Sequence, residues 1–216
     1  MSEELPRSIA MVRSAFETIA DDFDRTRNAP WPAVERFVEE AHGGAIALDL
    51  GCGNGRHTEL LGASYSSVYG IDVSRSMLKT AIDRFAGPSV GYLEASATAV
   101  PLRTDTVDLG LYIATLHHLP DRSRRVDSLD ELARVLHPNA SALISGWSID
   151  HDRFDFPEAV DTVVDWTLPS GETVQRFYHL YDAEDFTSEL SASNLEIEEQ
   201  WVESGNCYAI ASPEVE

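Results

Sequence analysis

Apolar positions recur at helical spacing over residues 8–22, where Ile9, Val12, Phe16 and Ile19 fall three or four apart. A polar turn from Asp21 to Pro32 follows, and a second helix spans Val34 to Ala41 before Gly43-Gly44 stops it. The period then changes. Apolar runs at 45–50, 67–72, 90–94, 107–113 and 141–147 read as strands, and the stretches 56–62, 75–86 and 123–136 read as helices between them. Strand then helix, repeated, predicts right-handed crossovers and a parallel sheet. The tail departs from the series with a helix near 183–191 and two apolar runs, Leu195 to Val202 and Cys207 to Ala211. No linker or repeat interrupts the chain. Residues 1–216 are therefore expected to form one Rossmann-like α/β domain, with seven strands in a mostly parallel sheet and an N-terminal helical cap over 8–42.

Composition narrows the setting. No stretch is apolar for long enough to span a bilayer, and Met1-Ser2-Glu3-Glu4-Leu5 is acidic where a secretory signal would be basic. Two cysteines far apart, Cys52 and Cys207, suit a reducing compartment, and neither has a second thiol nearby with which to build a metal site. The expectation is a soluble cytoplasmic protein. Aspartate and glutamate total 37 against 16 lysines and arginines, a net charge of −21, and Lys79 is the only lysine. Such a surface argues against a nucleic-acid partner. The carboxylates are dispersed from Glu3 to Glu216, a pattern expected of a halophilic protein in a very salty cytoplasm, where screening over ~3 Å at 1 M salt blunts self-repulsion. The informative charges are then the arginines.

Candidate chemistry concentrates in Leu48-Asp49-Leu50-Gly51-Cys52-Gly53-Asn54-Gly55-Arg56-His57. A buried strand runs into three glycines at G-x-G-x-G spacing, and a helix opens directly after them. Asp72 ends the next strand, where its carboxylate can accept both hydroxyls of a ribose. A diphosphate loop more often reads G-x-G-x-x-G, and Asp49 just ahead of the glycines suits a cationic ligand better. The run resembles the S-adenosylmethionine (SAM) loop of the class I methyltransferases. That resemblance implies a last sheet strand that runs antiparallel, and cofactor contacts at Asp49, Gly51, Cys52, Gly53, Gly55, Asp72 and Ile113. The acidic residue that usually meets the adenine amino group is missing, and Ser96 stands there with the backbone of Ala97.

Three further segments resemble a narrower family. They are Phe23-Asp24-Arg25-Thr26-Arg27-Asn28-Ala29-Pro30-Trp31-Pro32, then Ile113-Ala114-Thr115-Leu116-His117-His118-Leu119 running on to Arg122, Arg124 and Arg125, and finally Arg176-Phe177-Tyr178-His179-Leu180-Tyr181. Together they resemble the tRNA methyltransferases that esterify 5-carboxymethyluridine at the wobble position. The departures are Pro138-Asn139-Ala140 in place of proline-glycine-glycine, and Cys207 where tryptophan is common. The resemblance implies a tRNA anticodon loop as substrate and a small zinc-binding activator subunit, for which Val90-Gly91-Tyr92-Leu93 would be the receiving edge strand. It also implies that Arg27 or Arg176 orients the acceptor carboxylate while His117, His118 and Tyr178 shape the pocket.

Each of these residues has a plainer reading. Arg124 and Arg125 have Asp127 and Asp130 on their own helix to pair with, His118 caps a turn or packs beneath the cofactor, Trp31 staples the following helix, and His179 is a satisfied half-buried histidine. Two other functions stay open: a methyltransferase for a diffusible small molecule, and a non-catalytic SAM-binding module that works through a partner.

Overall fold

The structure is a computed structural model that describes residues 8–41 and 43–214. Ser8 opens the first helix by accepting the Met11 amide, and α1 (Ile9–Thr26) buries Val12, Ala15, Ile19 and Ala20. It runs beyond the expected end at 22, because Arg25 pairs with Asp22 and the Thr26 hydroxyl donates to the Asp22 carbonyl, knitting one more turn. Pro32 starts α2 (Pro32–Glu40) at the position where its missing N–H has no partner to lose. The alternating series follows as β1 (Gly44–Leu50), α3 (Arg56–Leu61), β2 (Tyr65–Asp72), α4 (Arg75–Arg84), β3 (Val90–Glu94), β4 (Val107–Tyr112), α5 (Arg122–Val135) and β5 (Leu136–Trp147). Then come β6 (Val160–Thr167), β7 (Thr173–Leu180), α6 (Ala183–Leu190), β8 (Leu195–Glu203) and β9 (Asn206–Pro213).

Seven strands form one sheet in the order β3-β2-β1-β4-β5-β9-β8. The pairs among β1 to β5 are parallel, while β9 runs antiparallel to both β5 and β8, as expected. Alternation divides the core between two faces. Leu48, Leu50, Tyr112, Ala142 and Ile144 pack with Leu129 and Leu132 of α5 and Phe186 of α6, whereas Ala47, Leu109, Leu111 and Leu143 pack with Val34 and Val38 of α2 and Leu61 of α3. Strand order reverses between β1 and β4, which opens a crevice at their carboxyl ends.

The β6–β7 hairpin was not expected. Its register sets Asp165 opposite Gln175 and Val164 opposite Arg176, and it forms a separate two-stranded sheet. The period-two signal is blurred because five consecutive residues of β7, Arg176 to Leu180, are buried. The hairpin folds over the crevice and meets α1, where Ile19, Ala20 and Phe23 pack with Met77 of α4 and with Trp166, Leu168 and Val174. Its base is tied down by His179, whose two ring nitrogens each lie 2.7 Å from a carboxylate, Asp161 and Asp185.

Behind the sheet, Arg125 makes a bidentate ion pair with Glu189 (side chains 4% and 0% exposed), and Tyr181 donates to the same carboxylate at 2.8 Å. The plainer reading of Arg125, a pair within its own helix, is therefore corrected: its partner lies on α6. Removing one member strands the other charge, a loss of about 3–5 kcal/mol. Glu189→Ala should lower unfolding stability by that amount in urea titrations, and a loss below about 1 kcal/mol would show that the pair is dispensable.

Candidate active site

The turn after β1 is strapped to the neighbouring strand. The amides of Gly51 and Cys52 both donate to the Ile71 carbonyl, at 2.7 and 2.9 Å. Gly51 has φ +74°, and a Cβ there would run into the Thr115 side chain. Gly55 has φ +76° and would press a Cβ to 2.9 Å from that of Ala81, so it serves helix packing. Only Phe23, at 3.9 Å, lies near a Cβ built on Gly53.

Around this loop is a cavity of about 420 Å³, within the usual range for a small-molecule site. Gly51, Cys52, Gly53, Asp72, Ser96, Ala97 and Ile113 line it, as do Arg27, His117, His118, Arg176 and Tyr178. Two expected residues do not. Asp49 is buried behind the loop, where Thr58 donates to it at 2.7 Å, and Gly55 faces α4. Asp72 is held ready: Gly53 N–H donates to Oδ2 at 2.9 Å and Ser74 N–H to Oδ1 at 2.8 Å. Burial outweighs these bonds and raises its pKa to about 6. Ser96 spends its hydroxyl on Thr98 in the same turn, so the Ala97 backbone is the freer partner for a base edge.

Opposite the loop the cavity is cationic. Arg176 is 5% exposed, sits 4.9 Å from the centroid of the Trp166 ring and donates to the Tyr178 hydroxyl at 2.7 Å. Its Nε–H, though buried, has no acceptor. Arg27 approaches the same indole at 5.4 Å, and Arg153 lines the cavity beside them. Burial pulls Arg176 below the ordinary guanidinium range; Tyr178 and the cavity-lining Asp165 oppose the fall, while Arg153 and Arg27 add to it. Asn54 of the glycine loop fixes Arg27 from behind, donating to its backbone carbonyl and to Asp24, both at 2.9 Å.

The histidines are neutral. Burial holds His117 well below its ordinary value and brings His118 to about 3. His118 Nδ1 lies 3.0 Å from the Phe177 carbonyl, so that nitrogen carries the proton and Nε2 a lone pair. His117 Nδ1 instead accepts the Trp147 amide at 3.1 Å, which leaves its Nε2 as a donor, and its ring stacks on Tyr178.

Ion pairing distinguishes the cavity arginines from most of the others, although Arg103 and Arg122, outside the cavity, also have no carboxylate oxygen within 4.0 Å among the described residues. Arg13, Arg25, Arg36, Arg75, Arg84, Arg124, Arg125 and Arg134 all have carboxylate partners. Among the described residues, the four that line the cavity, Arg27, Arg56, Arg153 and Arg176, have no carboxylate oxygen within 4.0 Å. Of the six arginines in the three sequence segments, Arg25, Arg27, Arg122, Arg124, Arg125 and Arg176, only Arg27 and Arg176 line the cavity. Arg124 pairs with Asp121, and Arg122 donates to Ser188. Sequence reasoning missed Arg56, Arg153 and Trp166. His179 is the satisfied histidine of the plainer reading and lies outside the cavity lining.

Sheet order, glycine loop and Asp72 define a class I methyltransferase fold. Residues 48–144 match the family described as Methyltransferase domain. The solved DhpI–SAM–HEP complex superposes with a TM-score of 0.73 at 22% identity, over 97% of this chain and 100% of that one. A methyltransferase bound to the Haloferax volcanii Trm112 activator superposes at 0.72 with 15% identity, over 95% and 98% of the two chains. The chain has the fold of the class I SAM-dependent methyltransferases and is similar to them over residues 48–144, and the cavity fits that cofactor: a pre-oriented carboxylate for the ribose and a turn with no room for a side chain.

More particularly, it resembles the tRNA (carboxymethyluridine(34)-5-O)-methyltransferases. Identity is 34% to the Arabidopsis thaliana protein, over 77% of this chain but 38% of that one. It is 31% to the Saccharomyces cerevisiae protein, over 75% and 58%, and 27% to the Schizosaccharomyces pombe protein, over 93% and 95%. The chain thus spans well under two thirds of several relatives.

Asp72 generates a pH prediction. Its native pKa of about 6 means that it gains a proton, and loses acceptor capacity, as pH falls through that value. Affinity for S-adenosylhomocysteine (SAH) should fall on the order of tenfold between about pH 7 and pH 5, and Asp72→Asn should flatten most of that slope. An equal slope in the variant would remove Asp72 from the ribose site.

Proposed function

We propose that this domain methylates a carboxylate, that of 5-carboxymethyluridine at the tRNA wobble position, and so forms the methyl ester. One observation carries the reading: among the described residues, Arg27, Arg153 and Arg176 line the cavity with no carboxylate oxygen within 4.0 Å, in a chain where acidic residues outnumber basic ones 37 to 16. Arg176 is buried and Arg27 and Arg153 stand exposed at the cavity mouth; a buried cation left without an ion pair in such a chain is a seat for an anion brought by the substrate.

The cofactor supplies a methyl group already activated on a sulfonium. A carboxylate is ionised at neutral pH, so no proton has to move and no base is needed, which suits two neutral histidines. The chain's task is alignment. Arg176 and Arg153 hold the carboxylate, Arg27 and Trp166 wall it in, and the His117 Nε2–H and Tyr178 shape the rest. Esterification removes the charge these arginines recognise, so the product is held less tightly than the substrate.

The RNA would enter as an extruded base, in keeping with recognition of single-stranded loops. A small zinc-binding activator is the expected partner at β3, which pairs on one side only, with β2. That a structural neighbour was solved in complex with the Haloferax volcanii Trm112 activator supports a partner of this kind. No helix among the described residues is long and apolar enough to cross a membrane. With dispersed acidic residues, this supports a soluble enzyme of a salty cytoplasm.

Methyl transfer from labelled SAM to tRNA of a strain lacking this gene, with and without the activator, tests the reading once the nucleosides are resolved by mass. The carboxymethyl nucleoside should be esterified and its neutral carboxamide analogue ignored. Arg176→Met should lower kcat/KM on the order of 10- to 100-fold while SAH affinity stays within about twofold. Equal use of the carboxamide would overturn the carboxylate assignment.

A further inference from the structure

Arg56 is not explained by the acceptor site. It follows the glycine loop as the first residue of α3, is 8% exposed, and lies 5.2 Å from the centroid of the Trp31 ring. Arg27 and Arg176 instead gather at Trp166, on another element. The cavity therefore has two aromatic shelves, each carrying guanidinium. Among the described residues, Arg56 donates no side-chain hydrogen bond, and no carboxylate oxygen lies within 4.0 Å of it. Asp49 is the nearby acid, but its carboxylate is engaged by Thr58 and burial raises its pKa to about 6. Trp31 offsets part of the lost hydration through its ring face, yet an indole accepts none of the guanidinium's N–H groups in plane. Such a group persists where a ligand completes it.

We propose that Arg56 seats a second oxyanion in the cavity, apart from the one met at Trp166, held against the Trp31 shelf. The ligand chemistry is a carboxylate or phosphate oxygen accepting from the guanidinium edge. Two sources present it: the amino-acid carboxylate of the cofactor, and a backbone phosphate of the acceptor strand. The second source rests on the tRNA reading above; the first does not. Two anions need two cationic seats, and a shared one would let the cofactor compete with the acceptor. Burial, more than any other cause, brings the Arg56 pKa down to about 10, with the charges of Arg27 and Arg84 adding to the fall and Asp49 opposing it. That is the direction expected where an anion is still to arrive.

Arg56→Met and Arg56→Lys test the assignment by calorimetry and initial rates at fixed salt. With the cofactor as source, SAH binds Arg56→Met on the order of tenfold or more weakly, Arg56→Lys recovers part of the loss, and decarboxylated SAM binds wild type and Arg56→Met alike. With phosphate as source, SAH affinity is unchanged, KM for tRNA rises by a similar factor, and the logarithmic salt slope becomes shallower by roughly 0.7–0.9. In either case ligand-free Arg56→Met melts at or above the wild-type temperature, since an unpaired buried charge has been removed. Unchanged SAH affinity with unchanged tRNA KM overturns the proposal. If the wild-type chain leaves tRNA unlabelled, the tRNA reading falls and SAH alone decides: weaker binding supports the seat at Arg56, and equal binding overturns it.

Discussion

Like charges do not gather unaided, and the cavity depends on what holds Arg27 and Arg176 beside one another. Both approach the ring of Trp166, at 5.4 and 4.9 Å. An aromatic face attracts a cation without neutralising it, so the indole brings the two together and leaves their positive charge available. Trp166 is itself fixed by its Nε1–H, which donates to Asp22 of α1 at 2.8 Å. Asn54 then holds the Arg27 carbonyl from the glycine loop. Helix α1, the β6–β7 hairpin and the cofactor loop thus meet at one ring, and a shift in any of them moves the charges of the site.

A site arranged in this way is electrostatically prepared before its ligand arrives. The cost of burying unpaired guanidinium is met by the packing of α1 against α4 and the hairpin, and an incoming carboxylate releases it. The same logic separates substrate from product. Methylation changes the volume of the acceptor by one carbon, a small difference for a pocket to sense, but it abolishes a full charge. In the proposed reaction, charge is therefore the property by which this cavity would bind the acid and let the ester go.

The sheet and the glycine loop were legible because residue type alone dictates them. Gly51 and Gly55 adopt positive φ and close approaches that other residues resist, and period-two strands alternating with helices permit few topologies. The hairpin was not legible: Arg176 to Leu180 are buried in succession, which erases alternation, and two of its polar residues find partners only in the folded chain. Pairing of charges was least legible of all. Arg125 has acids at helical spacing yet pairs with Glu189 on another helix, whereas Arg56 and Arg153 look like surface residues in sequence and line the cavity in the fold. Local spacing reports which pairs are possible; only tertiary structure shows which arginines go without.

That distinction reconciles a net charge of −21 with the anionic substrate proposed above. Dispersed carboxylates repel RNA through solvent, and such repulsion is screened over a Debye length of ~3 Å at 1 M salt. Arg56 and Arg176 act at contact distance in a poorly hydrated setting, where mobile ions screen much less. Salt therefore weakens the opposing long-range field far more than the favourable short-range one. An acid-rich surface is therefore compatible with the proposed nucleic-acid substrate, since cations gathered in the cavity act locally; it shifts the balance between attraction and repulsion toward high ionic strength.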